Sequence, residues 1–398
     1  MAAIEKYFVT LLGKGGSDLH LSAGVPPMVR KDGDLIPIEP APISDAVLRA
    51  MILEILPPRN RQEYEEKNDT DFAYQIEGQG RFRVNAFVSC RGAGAVVRAI
   101  PARVRTADEL GLPDAVRKLC ELEKGLVLVT GPTGSGKSTT LAAMIDIVNS
   151  NRAGHILTLE DPVEFVHAPK RCLINQREIG VHTRSFATAL RAALREDPNV
   201  VLLGELRDLE TTTIALETAE TGHLVFGTLH TCSAVSTIDR LVDQFPANQH
   251  EQVRTMLASA LKGVIAQNLV KKIGGGRVAA MEILISNQPV AANIREGKTH
   301  QLTSAMQMGA KQGMVLLNDS LLKLVMDKTV DPQMALQKAT EKDDLLKKFQ
   351  AAGLSVQAIS PPPAAPSGPG ASMPGARPAG PSGLGLGARK EIYARTHA

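Results

Sequence analysis

The residues Gly125–Thr140 read GLVLVTGPTGSGKSTT, and this stretch decides the fold. A short apolar run ends in a glycine-rich turn, and the turn leads into LAAMIDIV, whose apolar residues recur with helical periodicity. The spacing Gly131-x4-Gly136-Lys137-Ser138 satisfies the phosphate-loop pattern, in which a strand, a loop and a helix follow one another. The stretch therefore predicts a binding site for a nucleoside triphosphate.

Each residue type in this loop has a physical reason to be there. Glycines allow backbone N–H groups to converge on phosphate oxygens without a Cβ clash, and the helix N-terminus adds partial positive charge. Lys137 has the length to reach the β- and γ-phosphates, and the Ser138 hydroxyl is a ligand for Mg²⁺. We expect contacts with the nucleotide from Gly131, Pro132, Thr133, Gly134, Ser135, Gly136, Lys137, Ser138 and Thr139.

Length and composition favour a two-domain globular protein. The chain has 398 residues, and its formal net charge of +3 gives no reason to expect nucleic-acid binding. The N-terminus lacks a signal-peptide core and no run of about 18 apolar residues occurs, so we expect membrane association only through partners. The separated cysteines, without a CxxC pair, predict reduced and mostly buried thiols of a cytoplasmic protein: Cys90, Cys120, Cys172 and Cys232.

Secondary-structure patterns divide the chain into a small α+β domain over residues 1–100, a linker over 101–112 and a larger domain over 113–350. In the larger domain, strands alternate with helices and the strands are almost wholly apolar. This alternation predicts an α/β fold with a mainly parallel sheet. Residues 351–398 are rich in Ala, Gly, Pro and Ser, and we predict that they form a disordered tail.

The periodicity of apolar residues predicts individual elements of the larger domain. We expect strands at HILTLE, NVVLLGE, HLVFGTLH and RVAAMEILI, which are residues 155–160, 199–205, 223–230 and 277–285. Helices are expected at residues 185–195, 209–220, 235–242 and, as one long helix, 250–270. Helical patterns continue to about residue 350.

Carboxylates follow two of the predicted strands, at the edge where parallel sheets bind ligands. Glu205 ends NVVLLGE and is placed to hold Mg²⁺ or its waters. Glu160, Asp161 and Glu164 lie in LTLEDPVEF, where Pro162 forces a turn that directs the carboxylates into one crevice. Hydrolysis of a nucleoside triphosphate needs a carboxylate that orients the attacking water, and this cluster can supply it. A solvated acidic turn is the alternative.

Histidines and arginines in the same region leave two interpretations open. His223 and His230 bracket the strand HLVFGTLH, and a histidine past a strand end either hydrogen-bonds a terminal phosphate or has a structural role. Arg191, Arg195 and Arg240 either contact phosphate or form helix ion pairs. Their spacing in the sequence does not distinguish between these roles.

Longer motifs, in chain order, resemble a known family. The secretion and pilus ATPase superfamily, and within it the ATPases of type IV pilus retraction and twitching motility, has segments similar to GPTGSGKSTT, LTLEDPVEF, INQREIG, ALRAALREDPNVVLLGELRDLET, AETGHLVFGTLHT and IREGKTHQL. The resemblance extends from about Ser17 to about Lys348, so only the predicted tail lies outside it.

The resemblance implies an ATP-hydrolysing homohexamer at the cytoplasmic face of the inner membrane, which acts on a pilus platform protein and uses ATP and Mg²⁺. It implies a RecA-like ATPase domain preceded by a PAS-like domain, the small α+β domain. It also implies roles for single residues: Glu164 as general base, Glu205 as the carboxylate near Mg²⁺, His230 and Lys137 as catalytic residues, Ser138 as a metal ligand, and His223, Arg83 and Arg98 as nucleotide contacts.

Two departures from the family patterns bear on the function. Extension and secretion ATPases of the superfamily carry a CxxC…CxxC zinc element, which this sequence lacks, so the resemblance favours retraction. The retraction-type motif AIRNLIREGK is replaced by PVAANIREGK (Pro289–Lys298), which lacks the first arginine. This change leaves room for an accessory or diverged paralogue that hydrolyses ATP without retracting pili alone. A non-hydrolysing, nucleotide-gated binding module is the alternative from another class of function.

Overall fold

The N-terminal part of the chain is built on an antiparallel sheet. The structure, a computed structural model, describes residues 2–31, 33–100 and 103–354. The elements up to residue 100 are α1 (Glu5–Gly13), β1 (Asp18–Ser22), β2 (Met28–Lys31), β3 (Asp34–Pro37), α2 (Asp45–Ile55), α3 (Pro58–Lys67), β4 (Asp69–Ile76), β5 (Gly80–Ser89) and β6 (Gly92–Ile100). The strand order is β3-β2-β1-β6-β5-β4. We call this the N-terminal sheet.

The strands of the N-terminal sheet have one apolar face and one polar face. On β5, Phe82, Val84 and Ala86 are buried, whereas Arg81 and Arg83 lie on the opposite face because side chains alternate along a strand. The apolar face packs against residues of α1 and α2: Ile4, Phe8, Leu11, Leu48 and Ile52. The polar face therefore carries the two arginines that contact the second part of the chain.

The second part of the chain is built on a mainly parallel sheet. Its helices and strands are α4 (Ala107–Leu110), α5 (Asp114–Leu119), β7 (Gly125–Thr130), α6 (Lys137–Asn151), β8 (His155–Glu160), β9 (Leu173–Glu178), α7 (Phe186–Ala193), β10 (Val200–Leu203), α8 (Leu209–Glu220), β11 (Leu224–Leu229), α9 (Ala234–Val242), α10 (His250–Ala260), β12 (Leu261–Lys271), β13 (Arg277–Ile285), α11 (Gln288–Arg295), α12 (Leu302–Met308), α13 (Leu317–Met326), α14 (Pro332–Lys338) and α15 (Lys342–Ala351).

This sheet has the strand order β13-β12-β7-β11-β10-β8-β9. Every neighbouring pair is parallel except β12 and β13, which are antiparallel. All residues of β7 and β11 are buried, as expected for inner strands covered by helices on both faces. The predicted α/β fold with a mainly parallel sheet is confirmed. The N-terminal sheet and this sheet belong to one compact unit.

The prediction of one long helix over residues 250–270 is wrong. Helix α10 ends at Ala260, and Leu261 begins strand β12, which lies between β7 and β13. Both faces of β12 are buried, so its sequence LKGVIAQNLV shows no alternation and cannot be told from a buried helix by periodicity. Gly263 allows β12 to pack closely against α5, because a Cβ at this position would lie 2.7 Å from a methyl group of Leu119.

Other boundaries differ in smaller ways. The sequence pattern did not indicate β9, an edge strand whose residues alternate between exposed and partly buried positions. The predicted linker contains a helical turn, α4, which begins with a capping box between Thr106 and Glu109. Most of the predicted tail, residues 355–398, lies outside the described residues. None of the helices in the described part of the chain combines the length and apolarity needed to cross a bilayer.

Candidate nucleotide-binding site

The phosphate loop, Gly131–Gly136, lies between the carboxyl end of β7 and the first residue of α6. Gly131 and Gly136 have φ values of 143° and 90°, which residues with a side chain rarely adopt. A Cβ on Gly131 would lie 2.3 Å from the carbonyl oxygen of Gln267, so only glycine fits against β12. The loop and the start of α6 therefore present backbone N–H groups and the positive end of a helix dipole at the sheet edge.

Lys137, the first residue of α6, is held by the carbonyl groups of the loop. Its Nζ donates to the carbonyl oxygens of Gly131 at 2.7 Å and Pro132 at 3.2 Å. Burial lowers the pKa of Lys137, and the negative charges of Glu205 and Glu164 oppose this shift.

A chain of contacts links Lys137 to Glu205 through His230. Lys137 Nζ lies 3.4 Å from His230 Nδ1, and His230 Nε2 lies 3.1 Å from Glu205 Oε1. An ammonium group only donates, so a hydrogen bond from Lys137 requires the tautomer in which Nδ1 accepts and the Nε2–H group faces Glu205. The other carboxylate oxygen pairs with Arg207 Nε at 2.7 Å. His230 thus orients both the lysine and the carboxylate.

Glu164 lies in the loop after β8 and faces the N-terminal sheet. Its Oε1 is 4.0 Å from Nη1 of Arg83, a residue of β5, and Arg83 Nε is 3.7 Å from Asp71. The side chain of Glu164 is 30% exposed, so its carboxylate can accept a hydrogen bond from water. Of the two arginines that the sequence analysis named in the N-terminal domain, Arg83 is therefore the one that lies beside the candidate base.

Glu160, the last residue of β8, has a different environment from Glu164 in the loop that follows. The Glu160 carboxylate accepts hydrogen bonds from Thr158 Oγ1 at 2.7 Å and from Gln176 Nε2 at 3.3 Å. Burial raises the pKa of Glu160. Since this carboxylate is buried and its Oε1 already accepts two hydrogen bonds inside the protein, Glu160 is less suited than Glu164 to orient an attacking water.

Gln267 belongs to the site but was not among the residues indicated by the sequence patterns. It lies on β12 and is 2% exposed. Its Nε2 donates to the carbonyl oxygen of Ser135 at 2.6 Å, and its Oε1 accepts from Thr140 Oγ1 at 2.7 Å. The amide thus joins the phosphate loop to the first turn of α6. The available signal was a glutamine within an apolar segment, because a buried polar side chain requires partners.

The residues around the loop fit a nucleotide with Mg²⁺. The hydroxyl oxygen of Ser135 is buried and has no hydrogen-bond partner, so it is free to bond a phosphate oxygen. Ser138 and Glu205 provide the hydroxyl and carboxylate oxygens that Mg²⁺ prefers. Within the described residues, no group of three or more His, Cys, Asp or Glu side chains is arranged to hold a metal ion. The remaining ligands of Mg²⁺ would therefore be phosphate oxygens and waters.

His223 does not lie near the phosphate loop. It precedes β11, where its carbonyl oxygen accepts from Gly125 N–H at 3.0 Å and its Nδ1 lies 3.1 Å from the carbonyl oxygen of Thr218. Strands β7 and β11 are parallel and have six residues each, which separates their two ends by about 17 Å. Within a single chain the structure therefore does not bring His223 to the phosphate loop, and its contact with the nucleotide stays a prediction.

Arg98 and Arg191 also have partners away from the loop. Arg98 Nε lies 2.8 Å from Asp18 Oδ1, so this arginine forms an ion pair inside the N-terminal sheet. The structure therefore does not bring Arg98 to the nucleotide site, although Arg98 is the register partner of Arg83. Arg191 pairs with Glu210. Of the two roles left open by the sequence, a phosphate contact or an ion pair between helices, this contact supports the ion pair.

The cysteines are all unpaired thiols. Cys120 and Cys172 are buried, but Cys90 and Cys232 are exposed, so the expectation of mostly buried thiols is correct for half of them.

A mainly parallel sheet with GPTGSGKST after an inner strand defines the class of phosphate-loop nucleotide-binding proteins. Within this class, the chain belongs to the family described as Type II/IV secretion system protein, which matches residues 3–354. The resemblance seen in the sequence motifs is thereby confirmed.

Three characterised relatives are similar to most of the chain. The type IV pilus retraction ATPase PilT of Pseudomonas aeruginosa is 53% identical over 326 residues, which cover 82% of this chain and 95% of that protein. A twitching motility protein of Neisseria gonorrhoeae is 49% identical over 320 residues, covering 80% and 86%. The crystal structure of the pilus retraction motor PilT with bound ADP has a TM-score of 0.78 and 45% identity, covering 87% of this chain and 99% of that one.

Proposed function

We propose that the chain is an ATP-hydrolysing motor that powers the retraction of type IV pili. The observation that carries this proposal is the contact of Lys137 with His230, and of His230 with Glu205, beside the phosphate loop. The similarity to a pilus retraction ATPase over most of the chain supports the same function. A binding module without hydrolysis would not need Glu164 and Glu205 beside the lysine, so this arrangement favours turnover.

Each of these side chains has a role in the proposed reaction. Lys137 exchanges the loop carbonyls for phosphate oxygens and offsets the charge that develops on the transferring phosphoryl group. Glu164 accepts a hydrogen bond from water and aligns the water with the γ-phosphate. Ser138 and Glu205 would hold Mg²⁺, which when bound would neutralise phosphate charge. His230 keeps Lys137 and Glu205 in fixed orientations and carries a proton at Nε2.

The N-terminal sheet takes part in the proposed motor through Arg83. This arginine lies 4.0 Å from Glu164, so a change in its phosphate contacts would alter the position of the sheet against the site. We assign residues 1–100 to a PAS-like domain and residues 113–350 to a RecA-like ATPase domain. One domain would close on the other when ATP binds, and the two domains would open again after hydrolysis. This cycle would convert turnover into motion.

The proposed working unit is a homohexameric ring that acts on an inner-membrane platform protein of the pilus. The ring lies at the cytoplasmic face of the inner membrane and binds ATP at the interface between domains and subunits. The support for this arrangement is the similarity to pilus retraction proteins.

A second candidate function is suggested by the segment PVAANIREGK. It forms α11, whose N-cap residue Asn287 accepts a hydrogen bond from Val290 N–H at 3.0 Å. Val290 and Ile294 are buried, whereas Arg295 is exposed. The segment therefore keeps a packed helix with a surface arginine but differs from the retraction-type motif. An accessory paralogue would hydrolyse ATP in the same site without retracting pili alone.

The first test is ATP turnover by the purified chain. Lys137→Ala removes the side chain that joins the loop carbonyls to His230, and we expect turnover to fall roughly 100-fold or more. Lys124→Ala, at an exposed position just before β7, is the matched control and should keep the wild-type rate. Wild-type turnover in the Lys137 variant would overturn the proposed site.

A further inference from the structure

Two arginines of one strand extend from the N-terminal sheet to carboxylates of the second part of the chain. Arg81 and Arg83 lie on the same face of β5, since they are two residues apart. Arg83 Nη1 is 4.0 Å from Glu164 Oε1. Arg81 Nη2 is 3.1 Å from Oε2 of Glu178, the last residue of β9. Arg83 thus reaches Glu164 directly, whereas Arg81 reaches a different carboxylate, that of Glu178.

The Glu178 carboxylate connects Arg81 to the loop of Glu164. The same oxygen that receives Arg81, Oε2, also accepts the backbone N–H of Val163 at 3.1 Å. Val163 immediately precedes Glu164 in the chain. Arg81, Glu178 and Val163 therefore form a continuous path from the N-terminal sheet to the backbone beside the candidate base.

This path lies in a mostly water-excluded region. The side chains of Arg81 and Glu178 are 23% and 11% exposed, and Val163 is buried. Nε of Arg81 is buried and has no partner, so Glu178 is the one carboxylate that the described residues offer to this guanidinium. Removal of one member of a buried pair leaves the other charge uncompensated, which strongly disfavours the paired geometry.

Glu178 is itself held in place by its neighbours. In the parallel pairing of β8 and β9, Glu178 lies opposite Glu160, the last residue of β8. The backbone N–H of Glu178 donates to His182 Nδ1 at 2.9 Å, and its carbonyl oxygen accepts from His182 N–H at 2.8 Å. The Glu178 carboxylate is therefore presented from a backbone that is hydrogen-bonded on both sides, and Arg81 reaches it from the N-terminal sheet.

We propose that Arg81 and Glu178 are positioning residues, which fix the backbone next to Glu164 only when the N-terminal sheet is docked on the parallel sheet. This proposal rests on the proposed ATPase function and names a regulation of the same site. Docking supplies the Arg81 charge to Glu178, Glu178 holds Val163, and Glu164 is then aligned for water. Undocking releases this loop and slows hydrolysis without removing the phosphate loop or its lysine.

A second contact between the same two parts of the chain provides a matched control. The guanidinium of Arg59 donates to the carbonyl oxygen of Gly180, two residues after Glu178. Arg59 has no hydrogen bond or ion pair to residues 161–165 among the described contacts. A variant of Arg59 therefore removes one contact of the same interface and leaves the Arg81–Glu178 pair and its hydrogen bond to Val163 in place.

The kinetic test compares Arg81→Ala, Glu178→Ala and Arg59→Ala in the full-length chain. We expect Arg81→Ala and Glu178→Ala to lower kcat roughly 10- to 100-fold, because a misplacement of about 1 Å can cost about 100-fold in rate. The affinity for a fluorescent ATP analogue should stay within about threefold, since the phosphate loop is untouched. Arg59→Ala should keep a rate near that of the wild type.

Glu178→Gln separates positioning from a general loss of structure. The amide oxygen can still accept from Val163 N–H, but the charge that faces Arg81 is gone. We therefore expect Glu178→Gln to retain more activity than Glu178→Ala. Equal losses of kcat in the two Glu178 variants, or equal rates for the Arg81 and Arg59 variants, would overturn the proposal.

Hydrogen exchange provides a readout that does not depend on turnover. Exchange in a peptide spanning residues 161–167 should be faster in Arg81→Ala and Glu178→Ala than in the wild type, and unchanged in Arg59→Ala. Unchanged exchange in all three variants would overturn the proposal. A wild-type chain without ATPase activity would overturn the proposed function instead, and the exchange measurement would still decide whether Arg81 positions this loop.

Discussion

At the scale of single residues, the proposed chemistry depends on which carboxylate meets the attacking water. Glu160 is internally hydrogen-bonded, and burial raises its pKa, whereas the side chain of Glu164 is 30% exposed and faces Arg83. Glu205 is engaged by His230 and Arg207. Glu164 is therefore the carboxylate best placed to orient water.

Glu164→Gln should retain ATP binding and lose most of the hydrolysis. The amide keeps the size of the side chain but removes the charge that orients water, so turnover should fall by roughly 100-fold or more. The measurement is the steady-state rate together with the affinity for an ATP analogue. Asp161→Asn, at an exposed position of the same loop, is the comparison variant, and a larger loss in that variant would move the base to Asp161.

The sequence predicted part of this site because the motif fixes local geometry. Lys137 must follow the loop, and residues at the carboxyl ends of parallel strands, such as Glu205 and His230, must meet at one edge. Two histidines bracket the same strand, and within one chain His230 lies at the loop edge whereas His223 lies at the other end of β11. The partner of a residue on another element, such as Asp18 for Arg98, depends on sheet order, which the local pattern does not contain.

At the scale of elements, β12 holds the phosphate loop from the side. Its Gln267 bonds both Ser135 in the loop and Thr140 in α6, and its backbone leaves room only for glycine at position 131. The segment was predicted as helix because a strand buried on both faces lacks alternation. This error in the element also concealed Gln267, since a glutamine in a predicted helix has no obvious partner in the loop.

Gln267→Leu should lower both the free energy of unfolding and the affinity for nucleotide. The loss of affinity should be larger than in a variant that is destabilised to the same extent elsewhere. The Gln267 substitution leaves the Ser135 carbonyl and the Thr140 hydroxyl without their buried partner, at a cost of about 1–3 kcal/mol in the free energy of unfolding. Nucleotide affinity, measured by titration, should fall because the loop is no longer fixed to β12.

The matched control for this variant is Asn318→Leu. Asn318 is also buried, and its Nδ2 donates to Glu341 O at 2.9 Å and Asp344 Oδ2 at 2.8 Å, in the C-terminal helices. Asn318→Leu should lower Tm without changing nucleotide affinity. Equal affinities in the two variants would mean that Gln267 has only a structural role.

At the scale of the whole molecule, the described core ends with α15. Leu345 and Phe349 of this helix are fully buried, in a cluster that also contains residues of α13 and α14. Leu354 packs against the same cluster. The composition of the residues that follow, rich in Ala, Gly, Pro and Ser, offers little apolar surface for the core.

A chain truncated after Leu354 should keep the Tm and the ATPase rate of the full-length chain. A chain truncated after Glu341 is the control, because it removes Leu345 and Phe349 and should lose about 1.5–3 kcal/mol for each buried side chain. Thermal unfolding and turnover measure both effects. A loss of activity in the longer truncation would show that residues after 354 contribute to function.

The fold of the whole molecule was predicted more completely than the contact between its parts. Apolar strands that alternate with helices are sufficient to predict a parallel sheet. The pairing of Arg81 with Glu178 and the approach of Arg83 to Glu164 depend on how the N-terminal sheet docks on the parallel sheet. The members of the two pairs are separated by 97 and 81 positions in the sequence, so no local pattern indicates that they meet.

The most direct test of the central claim is pilus retraction in piliated cells whose own retraction ATPase is deleted and replaced by this chain. The account predicts that the wild-type chain restores retraction and that Lys137→Ala, produced at the same level, does not. Turnover of the purified chain is the control for activity. An active ATPase that leaves pili unretracted would contradict the motor function and favour an accessory paralogue.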